Sequence, residues 1–499
     1  MTIKNIEQIR KVLLIYNLAM LDENLYTTYP HNGVLTCDDV NYNPDKARIK
    51  DILWENYPWL LKVNKAGLLR PSILDNIQRT LLCNTIYLGY DGFECPACGN
   101  EMLFFHKCHS RFCTSCGVKY QKKLAAEAEA MCVDTPHRHI VFTIPEAYRI
   151  YFRRERQALN LLFVAARNTI AKVTNEKIYR KEKKKRGQTG HLHNDKDNYY
   201  LYRNFKDANI FGMIASIHTF GRDLKWNPHI HALVPELIYD PAKDEIRHFH
   251  HFDFKNLRLT WQYELNRLMS DYFKDSFTKD KDYSFKKQTK GFYVYAKYQK
   301  DDDKSDKSYS KNIAGCVSYM MRYASRPPMA ENRIISHDKA SQSVRWFYDD
   351  HKTEERIEVR ESSRSLLKKM IIHIPDEGFR CVRYYGFYNN KKRKTLERIY
   401  ELMGKEVQAS RDKMLRKKQL NDKLKKIRYR TSVCDEFNRD VLRCKCGSLL
   451  QYVDSYNPLE GVRNDRQYRT KCINEMYALW IRRKRPSPGI NKNQGNLRT

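Results

Sequence analysis

The residues that could carry chemistry most directly are two histidines, His229 and His231, separated by one apolar residue. Asn227-Pro228 precedes them and an apolar run follows, which predicts a β-strand over Trp226–Val234. Because strand side chains alternate between faces, both imidazoles should share one exposed face. Such a pair suits a divalent metal ion, but the chain has 16 histidines, so ordinary solvent-facing histidines are the competing interpretation.

Cysteines provide a second set of candidate metal ligands. Two Cys-x-x-Cys pairs lie close together in the sequence: Cys95, Cys98, Cys113 and Cys116. Four thiolates in a tetrahedral arrangement form a closed structural site, so these pairs predict one Zn²⁺ ion, with Cys108 as the alternative ligand. Arg111 lies within this basic segment and is a candidate DNA contact. Cys444 and Cys446, with Cys434 and Cys472, are a weaker candidate for a second metal knuckle because their spacing is irregular.

Two tyrosines, Tyr319 and Tyr323, lie four residues apart in a segment that should be a helix ending before Pro327-Pro328. On a helix this spacing places both rings on one face, one turn apart. Arg322 and Arg326 alongside them are candidate DNA contacts. Because the chain has 34 tyrosines, an ordinary packing pair is the competing interpretation.

The composition indicates a polyanionic partner. The 499 residues carry 92 lysines and arginines against 59 acidic residues, a formal net charge of +33. Such an excess favours nucleic acid over the alternative of a membrane surface. Abundant aromatics suit single strands, whose unpaired bases stack on them. The sequence contains no convincing signal peptide and no apolar run of about 18 residues, so we expect a cytoplasmic protein that associates with the nucleoid when it binds DNA.

The elements that should position these residues are predicted from local patterns. Alternating apolar residues over 136–145 predict a strand beside the His-x-His strand, and 210–219 should form a hairpin with 226–234. Helices are predicted over 120–131, 148–173 and 250–275. The lysine-rich stretches 180–197 and 276–311 are interpreted as a mobile loop and as an insertion or disordered loop.

Four segments, in this order, resemble the two-tyrosine rolling-circle transposases of the insertion-sequence ninety-one family: CPACG…CHSRFCTSCG, RHIVFTIP, HTFGRDLKWNPHIHALV and YMMRYASRPPMAENRI. A later segment, HIPDEGFRCVRYYGFY, resembles the block that follows the tyrosines in that family. The resemblance spans roughly 90–390. The order of strand, His-x-His strand and tyrosine helix is also that of the HUH single-strand endonucleases.

The resemblance implies metal-dependent nicking and joining of single-stranded or hairpin element ends through a 5′-phosphotyrosine. His229 and His231 would hold Mg²⁺ or Mn²⁺, and Tyr319 and Tyr323 would be the nucleophiles. A third ligand is left open between His218, His139 and a distant Glu or Gln. The sequence has no GxxxxGK[ST] phosphate loop, so a host helicase and replication proteins are expected partners. A homo-oligomer is left open.

Two other functions compete with this interpretation. A rolling-circle replication initiator or relaxase would use the same chemistry. A non-catalytic zinc DNA-binding regulator would account for the cysteines and the charge, but not for the ordered histidine and tyrosine motifs.

The sequence therefore predicts an α+β protein with an HUH endonuclease-like central antiparallel sheet covered by helices. A small zinc-binding module precedes the sheet, and basic helical regions flank it. Five segments are expected: a helical N-terminal region at 1–90, the zinc module at 91–132, the catalytic domain at 133–335, the rest of the core with a basic helical region at 336–432, and a C-terminal region at 433–499.

Overall fold

The computed structural model describes residues 35–36, 48–110, 112–175, 209–248, 253–296, 309–350, 353–404, 440, 442–458 and 465–484. Several sequence predictions lie wholly or partly outside these residues: the contact at Arg111, the loop at 180–197, Cys434, the part of the predicted 336–432 segment beyond 404, and the part of the C-terminal region beyond 484.

The chain divides into two compact units that do not follow the five expected segments. The first, here called the cysteine unit, comprises the described parts of Met1–Cys116, Ile334–Val344 and Arg428–Thr499. The second, here called the sheet unit, comprises those of Gly117–Arg333 and Arg345–Ile427. Segments far apart in sequence therefore meet in the cysteine unit.

The helices are numbered in chain order: α1 Ile49–Lys65, α2 Pro71–Leu82, α3 Thr114–Met131, α4 Arg149–Arg154, α5 Leu159–Thr174, α6 Phe254–Phe273, α7 Thr278–Lys287, α8 Tyr309–Ser325, α9 Ser363–Ile371, α10 Arg393–Leu402 and α11 Asp465–Lys484. Short 3₁₀ turns lie at Ile86–Leu88, Glu146–Tyr148, Arg156–Ala158, Lys274–Phe277, Glu331–Arg333 and Asn390–Lys392.

The strands are numbered likewise: β1 Leu35–Thr36, β2 Tyr90–Glu94, β3 Glu101–Phe105, β4 His137–Phe142, β5 Ile210–Phe220, β6 Trp226–Pro235, β7 Leu237–Asp240, β8 Glu245–His248, β9 Val294–Ala296, β10 Ile334–Asp338, β11 Ser343–Asp349, β12 Arg356–Ser362, β13 Val382–Gly386 and β14 Gln451–Tyr456.

The cysteine unit is built on a small sheet with the strand order β1-β3-β2-β14. β2 and β3 form a hairpin. Strand β14 pairs antiparallel with β2, although β14 begins more than 340 residues after this hairpin ends. The helical part of the unit has an aromatic core in which Tyr477 of α11 stacks on Trp54 of α1, with ring centroids 6.5 Å apart. The C-terminal residues are thus part of this unit's sheet and of its helical core.

The sheet unit is built on an antiparallel sheet with the order β8-β7-β5-β6-β4-β9, in which β13 also pairs with β5. The predicted hairpin is confirmed, because β5 pairs antiparallel with β6. The predicted neighbour is confirmed as well, because β4 pairs with β6 on its other side. The architecture is therefore mixed α and β, with the His-x-His strand in the interior of the sheet.

Apolar side chains cover both faces of this sheet. Ile230, Ala232 and Val234 of β6 point to the face that packs on α5 and α6, and all three are fully buried. The opposite face packs on α8 and α10 through a second core that includes Leu233 and Met320. His229 and His231 share the face of Leu233, because side chains alternate along a strand. Helix α8 covers this face, so the expectation of an exposed face is wrong for His231, which is 4% exposed.

Two predicted elements need correction. The helix expected over 148–173 is interrupted at Glu155, whose backbone is extended (φ −112°, ψ 97°) and whose side chain accepts a hydrogen bond from the Gln157 amide. Within the described residues, the insertion expected over 276–311 is ordered at 276–296, where it forms α7 and β9, and at 309–311, where α8 begins. Phe277 and Phe292 explain that order, since both are buried against Tyr148 with centroids 4.9 and 5.4 Å away.

Candidate active site

Three histidines from two neighbouring strands meet on the α8 face of the sheet. The β5–β6 register places His218 directly opposite His229, and Ser216 opposite His231. The ligand nitrogens of His218, His229 and His231 all lie within 4.8 Å of one another. His218, one of the three candidates for a third ligand, therefore lies in the same group as the two histidines of the motif.

Hydrogen bonds fix the orientation of each ring. His229 Nδ1 lies 2.7 Å from the Asn227 carbonyl oxygen, and His218 Nε2 lies 3.1 Å from the Met320 carbonyl oxygen. A carbonyl only accepts, so these nitrogens carry the protons, and the opposite ring nitrogens keep their lone pairs. His231 Nδ1 lies 2.7 Å from His139 Nε2. His231 Nε2 is buried, and no described residue forms a hydrogen bond with it.

Burial keeps these imidazoles neutral at neutral pH. Burial lowers the pKa of His218 and of His231 well below the usual value for histidine. Burial likewise lowers the pKa of His229 and of His139 to about 4. A neutral imidazole offers a lone pair, which is the form that binds a metal ion.

Helix α8 presents both tyrosines to this histidine group. The predicted helix is confirmed and ends at Ser325, just before the two prolines. The ring centroids of Tyr323 and His218 are 4.8 Å apart, and those of Tyr319 and His231 are 5.7 Å apart. The two tyrosine rings are 5.1 Å apart. The hydrogen bond between His218 and the Met320 carbonyl holds the helix backbone at this distance from β5.

The surroundings of Tyr319 combine exposure with an altered pKa. The residue is 41% exposed, so a substrate can reach it, whereas Tyr323 is half-buried. Burial and the neighbouring Tyr323 raise the pKa of Tyr319 to about 12, and the positive charges of Arg222 and Arg322 oppose this rise. Sequence reasoning missed Arg222, which the tight turn between β5 and β6 brings back to the tyrosines.

The two arginines of α8 differ in their surroundings. Arg322 is exposed, as a contact to a phosphate requires. Arg326 is half-buried, its Nε atom is buried without a hydrogen-bond partner in the described structure, and burial lowers the pKa of its side chain. Of these two arginines, Arg322 is therefore the one that is fully presented to solvent beside the tyrosines.

The cysteines form two groups instead of the single group expected from the sequence. Cys113 and Cys116 join Cys108 and Cys83, whereas Cys95 and Cys98 join Cys444 and Cys446. The prediction that Cys95, Cys98, Cys113 and Cys116 share one ion is therefore wrong in its grouping. Cys108, which was expected only as a substitute for one of the four, is a full member of the first group. Cys472 belongs to neither group among the described residues.

The regrouping has a simple physical cause. Cys95 and Cys98 lie at the tip of the β2–β3 hairpin, and Cys113 and Cys116 lie where α3 begins. Cys83 caps the C-terminus of α2, which brings its Sγ atom 3.6 Å from that of Cys113. Cys83 is an isolated cysteine in the sequence, so no spacing pattern could identify it as part of the group.

Comparisons with known proteins match both parts of this arrangement. The family described as "Putative transposase" matches residues 212–395, and the family described as "Transposase zinc-binding domain" of IS91 matches residues 55–144. The "Transposase for insertion sequence element IS801" of Pseudomonas savastanoi pv. phaseolicola is 25% identical over 364 residues, covering 71% of this chain and 80% of that protein. The "Putative transposase y4qJ" of Sinorhizobium fredii (strain NBRC 101917 / NGR234) is 24% identical over 341 residues, covering 66% and 77%. No solved structure matches the chain.

The chain belongs to the IS91 family of transposases. As an IS91-family transposase it is a DNA-processing enzyme that binds DNA. The range matched to the transposase family contains the three histidines and both tyrosines. The range matched to the zinc-binding domain contains six of the eight grouped cysteines, and both groups fit zinc. Cys444 and Cys446 lie outside both ranges.

Within the described residues of the transposase, no helix is both long and apolar enough to cross a bilayer.

Proposed function

We propose that this IS91-family transposase cuts and rejoins single-stranded ends of its element through a 5′-phosphotyrosine intermediate. The nucleophiles are Tyr319 and Tyr323, and the metal ligands are His229 and His231 together with His218. The observation that carries the proposal is the packing of α8 on the histidine group, with ring distances of 4.8 Å and 5.7 Å. This arrangement supports an HUH endonuclease-like assignment for the sheet unit.

The histidine group has the properties that a divalent ion requires. Three nitrogens lie within 4.8 Å of one another, and burial holds the imidazoles neutral. The unpartnered His231 Nε2 is the most direct support, because a buried nitrogen without a partner normally costs free energy. Mg²⁺ or Mn²⁺ bound there would polarise the scissile phosphate and neutralise part of its charge.

In the proposed reaction, a tyrosine hydroxyl attacks the phosphorus atom of the scissile phosphate. The new bond joins the tyrosine Oη to phosphorus, and the bond from phosphorus to the 3′-oxygen breaks. The tyrosine loses its proton, and the departing 3′-oxygen gains one. The products are a 5′-phosphotyrosine and a free 3′-hydroxyl, which can attack the phosphotyrosine later and rejoin a strand without ATP.

Two tyrosines within reach of one phosphate permit strand exchange. One hydroxyl holds the first cut end while the other takes a second strand, as rolling-circle transposition requires. The exposed Arg322, and Arg326 one turn further on, supply positive charge beside the cut phosphate. The net charge of +33 supplies the remaining attraction to DNA. Strand separation is assigned to a host helicase, since the sequence contains no phosphate-binding GxxxxGK[ST] loop.

Membership of a transposase family favours transposition over a replication initiator or relaxase with the same chemistry. A non-catalytic zinc regulator accounts for the cysteines and the charge, but it leaves the histidine–tyrosine packing without a role. Covalent chemistry is what separates the proposal from that alternative.

The direct test uses the full-length protein and labelled single-stranded oligonucleotides from the element ends, with and without hairpins. With Mg²⁺ or Mn²⁺ we expect a shortened 5′-labelled strand carrying a free 3′-hydroxyl, and, when the oligonucleotide is labelled at its 3′ end, a protein band that retains the label on a denaturing gel. Chelation should remove both products, and the same sequence as a duplex is the control. Binding without any covalent species, on all of these substrates, would favour the regulator.

His139 gives a further prediction that rests on the proposed metal site. Its Nε2 lies 2.7 Å from His231 Nδ1, so a proton shared between them would orient the His231 ring with Nε2 towards the ion. His139→Ala should raise the metal concentration required for half-maximal cleavage by about 10–100-fold, with most of the rate recovered at saturating metal. A metal titration of cleavage measures this effect. His248→Ala, at an exposed position on β8 of the same sheet, is the matched control.

Either of two results would contradict the orienting role of His139. An unchanged metal dependence would show that His139 does not act on His231. Cleavage that stays absent at every metal concentration would give His139 a direct part in the reaction.

A further inference from the structure

We infer that this transposase holds two structural zinc ions, and that the second one ties a C-terminal segment to the β2–β3 hairpin. The proposed ligands of the second ion are Cys95, Cys98, Cys444 and Cys446. Two of them come from the matched zinc-binding range, and the other two lie in the segment 442–450, outside both matched ranges. This inference does not depend on the proposed cleavage chemistry.

The first cysteine group is complete without the hairpin cysteines. Cys83, Cys108, Cys113 and Cys116 are all buried. Their Sγ atoms lie 3.7 Å apart for Cys83 and Cys116, and 3.6 Å apart for Cys108 and Cys116. Four thiolates fill a tetrahedral zinc site, so Cys95 and Cys98 have no place in this group. They need two further ligands, and the C-terminal segment supplies two.

The sulfur separations in the second group fit a zinc ion. The Sγ atoms of Cys95 and Cys446 are 3.5 Å apart, and those of Cys98 and Cys444 are 3.6 Å apart. A tetrahedral ion with bonds of about 2.3 Å places its sulfurs about 3.8 Å apart. A disulfide needs about 2.05 Å, so the observed separations indicate ligands around an ion and not disulfide pairs.

Cys95 and Cys98, like Cys444 and Cys446, lie on a tight turn that is closed by a hydrogen bond from a glycine amide to the carbonyl of the first cysteine. The Gly99 amide donates to the Cys95 carbonyl at 2.8 Å, and the Gly447 amide donates to the Cys444 carbonyl at 2.9 Å. Gly99 and Gly447 have φ angles of +67° and +93°, in the left-handed region that favours glycine. Each turn holds its cysteines on the same side of a short hairpin, as in the knuckles of zinc ribbons. The single intervening residue between Cys444 and Cys446 obscures this equivalence in the sequence.

The apolar core around the second cysteine group is too small to position the C-terminal segment by itself. Its core consists of Phe93, Cys95, Met102, Phe104, Leu442, Cys444 and Leu450. The adjoining strand β14 presents Tyr452 and Val453 to solvent, at 59% and 51% exposure. A small, loop-rich segment of this kind usually depends on its ion for a fixed structure. We therefore assign the ion the role of fixing residues 442–456 on β2.

Metal content provides the test. The histidine site can also take zinc, so all variants of the full-length protein are made in a His229→Ala background. Two zinc equivalents per chain are expected in that background by elemental analysis. Cys444→Ser/Cys446→Ser should lose one equivalent, and Cys83→Ser/Cys116→Ser should lose the other. Cys472→Ala is the matched control, because Cys472 is a buried cysteine of the same unit outside both groups, and it should keep two.

Two further measurements separate ligand loss from unfolding. Cys446→Ser alone should lose one equivalent, and Cys446→His should regain it, because imidazole also binds zinc and Cys446 is exposed. Limited proteolysis should cut 442–458 in the Cys446→Ser variant while the sheet unit stays protected. Retention of both equivalents in Cys444→Ser/Cys446→Ser would overturn the inference. An equal loss from Cys472→Ala would also overturn it, because the loss would then reflect damage to the unit.

Discussion

Replacing His229 or His231 with alanine is expected to abolish strand cleavage and to leave DNA binding nearly unchanged. Binding depends on charge spread over a chain with a formal net charge of +33, to which a neutral imidazole contributes nothing. Cleavage depends on one ion. Loss of a residue that only orients a ligand costs about 10–100-fold, so loss of a ligand should cost more than about 100-fold.

Cleavage and binding should be measured on the same single-stranded substrate, with cleavage read under limiting Mg²⁺ or Mn²⁺ on denaturing gels. Binding is read by filter retention at fixed salt, because the electrostatic part of the affinity changes steeply with ionic strength. His248→Ala serves again as the control, since it removes an exposed histidine from the same sheet. Cleavage at the wild-type rate in His229→Ala or His231→Ala would remove these residues from the site.

Strand alternation made part of this site predictable from the sequence. The pattern at Trp226–Val234 fixes which residues share a face, and it correctly separates His229 and His231 from Ile230 and Ala232. The pairing register, however, is a tertiary property. It places His218 opposite His229 and brings His139 to His231, and no local pattern in β4 or β5 specifies either contact. The sequence could only present both as candidates.

The cysteine groups show the same limit of prediction from sequence more clearly. Short spacings identify metal ligands well, but they identify the partners of a site only when all four ligands are close in sequence. Here Cys83 and Cys113, whose Sγ atoms are 3.6 Å apart, lie 30 residues apart in the chain, and Cys95 and Cys446 lie 351 residues apart. Grouping the nearest pairs was therefore the natural prediction and the wrong one.

The prediction for the lysine-rich stretch after α6 was wrong for a different reason. Its composition indicates a disordered loop, because the averaged hydrophobicity is low. Order there depends on three apolar side chains, Phe277, Phe292 and Val294, which are buried in the core of the sheet unit. Averaging the hydrophobicity over the whole stretch hides these three side chains, although each contributes a large buried area.

The two tyrosines are expected to behave as partners. Tyr319→Phe and Tyr323→Phe should each still nick a single-stranded end, yet neither should complete transposition. The double variant should form no covalent protein–DNA species. The physical reason is that both hydroxyls extend from one face of α8, with rings 5.1 Å apart and each within 6 Å of an imidazole of the proposed metal site.

Phenylalanine keeps the ring contacts with His218 and His231, so a defect can be assigned to the missing hydroxyl. Tyr272→Phe is the matched control, because Tyr272 is 45% exposed, close to the 41% of Tyr319, and lies on α6 at the opposite face of the sheet. Covalent species are read on denaturing gels with a labelled oligonucleotide, and transposition is read by a donor–recipient assay in cells.

The surroundings of the two rings determine how the possible results are interpreted. Tyr319 is the more exposed, and Arg222 and Arg322 act against the rise in its pKa, whereas Tyr323 packs between His218 and Phe220 at 4.8 and 5.7 Å. Normal transposition by Tyr323→Phe with an inactive Tyr319→Phe would make Tyr323 a packing residue. A single nucleophile would then have to act twice, or a second subunit would have to supply the other. A covalent adduct in the double variant would exclude both assignments and move the nucleophile to another of the 34 tyrosines.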